Sequence, residues 1–223
     1  MLDLRAVMAA LAQKRPIFHS EADFQHALAW EIQRTSRDAV IRLERRVTVE
    51  NPTTGKQERI YVDVSAALDG QVVAIELKYK TWCLRTECDG EEFDLCGQSA
   101  EDCGRYDFLW DVQRLERIAK TRPPTVGCAL FLTNDNSYWK PPRSADTNDA
   151  AFRLHEEEGR ELTGQLAWGP MAGRGTTHSR EKPITLRGTY RPRWEDYSGL
   201  KSGKYSLLRY LLVEVAPPPA RGT

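Results

Sequence analysis

The chain has 223 residues, 40% of them hydrophobic and 29% charged, and its 32 Lys and Arg balance 32 Asp and Glu. That length supports one domain with a continuous core, and the balanced charge excludes a global positive field, although a cleft needs only local charge. No run reaches membrane-spanning length and charges interrupt the apolar stretch Leu2–Met8, so the sequence predicts no signal peptide and a soluble, cytoplasmic protein.

In chain order, Leu2–Arg15 reads as a helix ended by Pro16. A second helix starts at Ser20, a good N-cap, with Glu21 and Asp23 in its first turn and Phe24, Ala27, Leu28 and Ile32 as its apolar stripe. Ala39–Val49 alternates as a strand does. Gln57–Leu68 and Gln71–Tyr79 read as a hairpin around the turn signal Asp69-Gly70. Lys80–Gly97 has weak periodicity and is expected to be an excursion or loop. Ser99–Thr121 reads as a helix with a buried stripe of Phe108, Val112, Leu115 and Ala119, stopped by Pro123-Pro124.

Val126–Thr133 is a continuous apolar run, as expected of a strand covered on both faces. Tyr138–Thr147 reads as a surface loop and Asp149–Glu161 as a charged, exposed helix. Lys182–Tyr190 and Tyr205–Val215 read as further strands. Residues 1–216 are expected to form one domain and 217–223 a tail. A β-meander, a crossover helix and another strand predict an α/β fold: a central mixed sheet flanked by helices, with additional C-terminal strands.

Side chains alternate along a strand, so Glu76 and Lys78 share one face while Val73, Ile75 and Leu77 pack the other. Asp63 shares its face with Tyr61 and Ser65, opposed to Ile60, Val62 and Val64. If the hairpin joins those polar faces, two carboxylates and an ammonium converge. Such a cluster can hold a divalent cation beside a scissile phosphate.

The element order, with Asp63 on the second strand and Glu76-x-Lys78 on the third, resembles the PD-(D/E)XK nuclease superfamily, whose fold is restriction endonuclease-like. The resemblance covers Ser20–Asn134, and Val62 stands where the family motif carries Pro. It implies an αβββαβ core and a metal-dependent nuclease hydrolysing phosphodiester bonds in bacterial defence, repair or mobile-element biology. The implied catalytic residues are Asp63, Glu76 and Lys78 with a carboxylate from the preceding helix, for which Glu21 is preferred and Glu31 is the competitor.

The implied cofactor is Mg2+, with Mn2+ able to substitute. Asp63, Glu76 and the Leu77 carbonyl are its expected ligands, and Lys78 is expected to orient the attacking water. DNA is the expected partner, with RNA as the alternative; homodimerisation and association with other subunits stay open. Gln98 and Arg105 are expected to face the cleft from the start of the following helix, whose N-terminus offers unpaired N–H groups. The stretch Gly173–Lys182 is basic and poor in apolar residues, so Arg174, Arg180 and Lys182 are candidates for nucleic-acid binding. Arg187, Arg191 and Arg193 extend it, with Tyr190 and Trp194 interleaved. A non-catalytic nucleic-acid- or partner-binding module on the same fold is the alternative.

Cys83, Cys88, Cys96 and Cys103 are separated by four, seven and six residues, which is not zinc-knuckle spacing, so free thiols are expected, with Cys128 in the core. His19, His26, His155 and His178 form no nuclease or zinc-protease motif.

Overall fold

The computed structural model describes residues 2–51, 54–121, 123, 125–201 and 203–217. Pro124 and residues 218–223 of the expected tail lie outside these. The first helix, α1 (Leu4–Ala12), is capped by the Asp3 carboxylate and is shorter than its apolar pattern suggested. The second, α2 (Glu21–Thr35), begins where Ser20 Oγ accepts from the Asp23 amide at 3.1 Å. Three strands follow: β1 (Val40–Glu50), β2 (Gln57–Leu68) and β3 (Gln71–Lys80). Asp69 and Gly70 both take positive φ, 51° and 75°, the paired left-handed geometry that a two-residue hairpin turn requires.

Lys80–Gly97 is not structureless. It carries a second hairpin, β4 (Leu84–Cys88) and β5 (Glu91–Leu95), turned at Asp89-Gly90 with φ of 54° and 81°. Its inward side chains Leu84, Phe93 and Leu95 close over Ile17. Helix α3 (Glu101–Ile118) then crosses to β6 (Thr125–Thr133). The chain ends in β7 (Leu162–Leu166), the short helix α4 (Arg174–Thr177), β8 (Ile184–Tyr190), β9 (Trp194–Gly199) and β10 (Leu207–Val215).

The six-stranded sheet has the order β1-β2-β3-β6-β10-β9. Only β3 and β6 run parallel, as the α3 crossover demands; the other neighbours are antiparallel. The architecture is therefore α/β with a mixed sheet. Alternation divides its side chains between two layers. Ile75, Leu77, Leu130, Leu132, Leu208 and Tyr210 pack against α1 and α2. Ala74, Ala129, Phe131, Leu211 and Val213 pack with α3 and residues of the β7–β8 hairpin.

Strand β2 does not keep one face throughout. Val64 and Ala66 join the α1–α2 layer, whereas Ile60 and Val62 join the α3 layer, contrary to the expectation that Ile60, Val62 and Val64 line up. The change falls at Asp63. There the β2–β3 pairing stops at Val64↔Ile75, and the facing β1 residue Glu44 has a left-handed φ of 50°. A non-glycine residue in that region marks a local distortion that lets the strand turn over.

Asp149–Glu161 is not an exposed helix. It holds one 3-10 turn, Ala150–Phe152, and Phe152 and Leu154 are fully buried beside a buried Asp149 and His155. Tyr138, assigned to a surface loop, is likewise buried against Phe131 at 4.6 Å between ring centroids. All five cysteines are free thiols, with Cys128 buried. No described helix is long and apolar enough to cross a membrane.

Gly127 shows how closely α3 lies on the sheet. A Cβ there would stand 2.8 Å from Leu115 Cβ and 3.2 Å from Val215 Cβ. Gly127→Ala is expected to cost about 1–3 kcal/mol in urea unfolding through overpacking. Gly175→Ala, with open space around it, is expected to stay within about 0.5 kcal/mol. Equal stabilities for the two variants would contradict this packing.

Candidate active site

Past Ile75, β3 loses β2 as a neighbour on one side, and two of its amides need other acceptors. Side-chain carboxylates supply them. Asp63 Oδ2 accepts from the Leu77 N–H at 2.6 Å, and Glu21 Oε2, from the first turn of α2, accepts from the Tyr79 N–H at 2.7 Å. The Asp63 carbonyl is taken up in turn by Gln25 Nε2 at 2.8 Å, and the same amide reaches Glu44 Oε1 at 2.9 Å. The strands part without leaving these backbone groups unpaired, and an opening forms in the sheet.

Glu76 and Lys78 lie on the α3 side of β3, opposite the residues that pack on α1 and α2. Lys78 Nζ is 2.6 Å from Asp111 Oδ2 and donates to the Leu77 carbonyl at 3.1 Å. Arg114, one turn after Asp111 on α3, holds Asp111 Oδ1 at 2.9 Å and lies 3.2 Å from Glu76 Oε1. It also donates to the Tyr61 carbonyl at 2.5 Å, pinning the departing half of β2. Three carboxylates, Asp63, Glu76 and Asp111, thus surround two cations, Lys78 and Arg114.

Burial dominates the electrostatics. Glu76 is only 2% exposed. Desolvation, with repulsion from Asp111 and Asp63, pushes its carboxyl up to about 9, against the pull of Arg114 and Lys78. Asp63 is also raised, by burial, although the Leu77 amide opposes the shift. Burial pulls the Lys78 ammonium down, but Asp111, Glu21 and Asp63 together outweigh it and the net shift is upward. Lys78 is therefore a cation at neutral pH and not a base.

The sequence-derived residues divide sharply. Asp63, Glu76, Lys78, the Leu77 carbonyl and Glu21 gather at this opening. Glu31 does not: it is buried in an ion pair with Lys14 at 2.7 Å and Arg34 at 2.8 Å. Arg105 does not face the cleft either, because its guanidinium is buried against Asp149 at 2.7 Å. Gln98 is exposed and joins the fold through its backbone amide, which donates to the Thr81 carbonyl. The α3 N-terminus is no ready anion seat, since Glu101 and Asp102 occupy its first turn.

Arg180 is committed to Asp107 in a two-pronged pair at 2.7 Å, while Arg174 and Lys182 are exposed. Trp194 is buried, with its Nε1 on the Leu154 carbonyl, and the Tyr190 hydroxyl donates to Glu116. The expected stacking surface of exposed rings is absent at those two positions.

Asp111, Arg114 and Gln25 were missed from the sequence. Asp111 stands three residues after Phe108 and four before Leu115, so a charge falls on the buried stripe of α3, and that spacing is the available signal.

Among the described residues no group of three or more His, Cys, Asp and Glu side chains is placed to hold a metal ion. A hard octahedral cation needs less, taking one or two carboxylates and keeping its waters. Two features of the cluster fit it: Glu76 Oε1 is buried and accepts no hydrogen bond, its only partner among the described residues being the Arg114 ion pair at 3.2 Å, and the three carboxyls, once ionised, outnumber the two cations. No protein-family model, curated protein or solved structure significantly matches this chain.

With a raised carboxyl, the folded chain keeps a proton on Glu76 that the unfolded chain has lost between about pH 4.5 and 9. Stability of the protein in EDTA is therefore expected to fall as pH rises through that window. Glu76→Gln is expected to flatten the decline in urea unfolding. Identical pH slopes for parent and variant would show that Glu76 ionises freely.

Proposed function

We propose that the chain is a Mg2+-dependent nuclease that hydrolyses phosphodiester bonds in DNA, on a restriction endonuclease-like core of the PD-(D/E)XK type. The observation that carries this reading is the meeting of Asp63 and Glu76, with Lys78 beside them, where β2 and β3 part. Asp63, Glu76 and the Leu77 carbonyl would hold the ion. Bound there, it supplies charge neutralisation at the phosphate and a more acidic water.

The chain's own groups do the rest. Lys78, kept charged by Asp111, donates to the attacking water or to the oxygen on which negative charge grows. Asp111 fixes the ammonium against one wall of the opening. Arg114 balances Glu76 and Asp111 and ties α3 to β2. Glu21 and Asp63 keep the β3 backbone in register as the sheet opens. Mn2+ is expected to replace Mg2+ because both are oxygen-seeking divalent ions. A role in bacterial defence, repair or mobile-element biology, in the cytoplasm, suits this chemistry.

One turn of α3 beyond Arg114 lies Arg117, which lines two adjoining hollows of about 600 and 500 Å³ together with Lys120 and Arg187. Lys182 lines the second. Glu58 is occupied by Arg117, and Glu116 by the Arg187 and Gly188 amides. Lys120, Lys182 and Arg187 have no side-chain ion pair among the described residues, and all three are exposed. This groove is the backbone track we assign to the substrate, in place of the patch centred on Arg174 and Arg180.

A non-catalytic binding module remains the second reading, favoured by Arg114 lying on Glu76 and by the structural hydrogen bonds of Asp63 and Glu21. A cleavage assay decides. The parent is expected to cut DNA with Mg2+ and not with EDTA, and Lys78→Ala to lose at least about a thousandfold in rate, as loss of a charge-stabilising donor does. Lys78→Ala should retain a Mg2+-dependent rise in melting temperature. Undiminished cutting by Lys78→Ala would refute these roles, and no cutting by the parent on any DNA would favour the binding module.

Replacing Lys120, Lys182 and Arg187 together with Gln is expected to weaken DNA binding and lower the log–log salt slope by about 2–3. Arg174→Gln is expected to leave that slope nearly unchanged. The reverse order would move the track back to the α4 segment.

A further inference from the structure

The β4–β5 hairpin carries a pair of thiols that the candidate active site does not use. Its strands pair from Cys88↔Glu91 back to Leu84↔Leu95, and the two legs stay side by side beyond that last pair. The Gln98 amide donates to the Thr81 carbonyl at 2.9 Å, and Thr81 Oγ1 donates to the Cys96 carbonyl at 2.8 Å. Thr81 and Gln98 thus hold the same register as Leu84 and Leu95, so Cys83 and Cys96, which lie between these pairs, face each other.

Strand alternation fixes the side on which they stand. Leu84 and Leu95 turn inward onto Ile17 with Phe93. The opposite face carries Arg85 and Asp94, an exposed ion pair at 3.1 Å, and Cys83 and Cys96 are exposed on that same face. Cys83 Sγ accepts from the Gly97 N–H at 3.0 Å, and a Cβ on Gly97 would also stand 3.0 Å from this sulfur. The sulfur therefore leans across the hairpin to the residue next to Cys96.

Facing residues of an antiparallel pair lie about 4.5 or 5.5 Å apart at Cα, and both values fall within the ~4.4–6.8 Å that a disulfide accepts. The other thiols are placed differently. Cys88 packs against the inward cluster of the hairpin, Cys103 Sγ meets the Thr176 carbonyl from α3, and Cys128 is buried.

We propose that Cys83 and Cys96 form a reversible dithiol site, oxidised to a cross-strand disulfide by a low-molecular-weight disulfide of the glutathione class. One cysteine thiolate attacks a sulfur of oxidised glutathione, whose S–S bond breaks and releases one glutathione thiolate. The facing thiolate then attacks the protein sulfur of this mixed disulfide, forming the Cys83–Cys96 bond and expelling the second glutathione thiolate. The two protein thiols give up two protons and two electrons, and two reduced glutathione molecules carry them away. The new bond clamps the legs of the hairpin at its base, directly after β3, where the Trp82 backbone exchanges hydrogen bonds with the Asn134 side chain at 2.8 and 3.3 Å. The inference is independent of the catalytic reading, because it rests on the β4–β5 hairpin alone.

The test treats the folded full chain with stoichiometric oxidised glutathione, blocks the remaining thiols in acid and digests with trypsin. Cleavage after Lys80, Arg85 and Arg105 places Cys83 in fragment 81–85 and Cys96 in fragment 86–105, together with Cys88 and Cys103. Mass spectrometry is expected to show the two fragments joined and the free thiols reduced from five to three, with dithiothreitol reversing both. Cys96→Ser is expected to abolish the joined species and leave glutathione on Cys83, whereas Cys88→Ser and Cys103→Ser retain it. In urea the yield of the Cys83–Cys96 link is expected to fall severalfold, because Cys88 competes for Cys83 through a shorter loop. Separate glutathione adducts on Cys83 and Cys96 with no joined species, a joined species that survives Cys96→Ser in the folded chain, or a yield no higher folded than unfolded overturns the proposal.

Discussion

The hydrogen bond from the Leu77 amide to the Asp63 carboxylate, 2.6 Å long, is the interaction on which the candidate site depends. An edge amide of a sheet normally pairs with the next strand, and β2 withdraws from β3 at this point. Asp63 lets it withdraw by replacing a backbone acceptor with its own side chain. Glu21 does the same two residues on, at Tyr79, and Gln25 takes the Asp63 carbonyl. The backbone groups at the gap are thus paired without a neighbouring strand. Without these substitutes, Leu77 and Tyr79 would carry unpaired amides, each costing about 1–3 kcal/mol where buried.

The same opening explains why so much charge is gathered there. Glu76 sits inside the α3 layer because strand alternation leaves it no other face. Burying a lone carboxylate is unfavourable, and α3 answers with Arg114 and Asp111 one turn apart, the second of which holds Lys78. With all three carboxyls ionised the arrangement would carry net negative charge, and a proton on Glu76 or a bound cation offsets it. Asp63, Glu76 and Asp111 repel one another, burial adds to that repulsion, and the Glu76 carboxyl is driven upward. A purely structural ion-pair cluster gains nothing from such an imbalance, whereas a cation-binding one does. Buried charge is weak support for stability and stronger support for function.

The turns and the sheet were legible in the sequence to very different degrees. Asp69-Gly70 and the alternation of β3 placed Glu76 and Lys78 on one face correctly, and the apolar run of β6 marked a strand covered on both faces. The second hairpin carried the same Asp-Gly signal at 89–90, but its strands are only five residues long and mostly polar, so periodicity was weak. The spacing of two between Phe152 and Leu154 contradicted a helix, yet the surrounding charges suggested one. Those charges turn inward instead: Asp149 takes both Arg105 and Arg153, and Arg160 donates to backbone carbonyls. The reversal of β2 between Val62 and Val64 was not legible, because it depends on a backbone distortion at Glu44 that no side-chain pattern encodes. Arg105 and Arg180 looked like free cations and are instead committed to Asp149 and Asp107, partners far away in sequence.

The central claim, that Asp63 and Glu76 jointly grip a divalent ion where β2 and β3 separate, is tested most directly by anomalous diffraction from crystals soaked in Mn2+. The account predicts one strong peak within coordination distance of both carboxylates, with Arg114 displaced from Glu76. A peak elsewhere with this opening empty, or Arg114 still seated on Glu76 in saturating Mn2+, would contradict it.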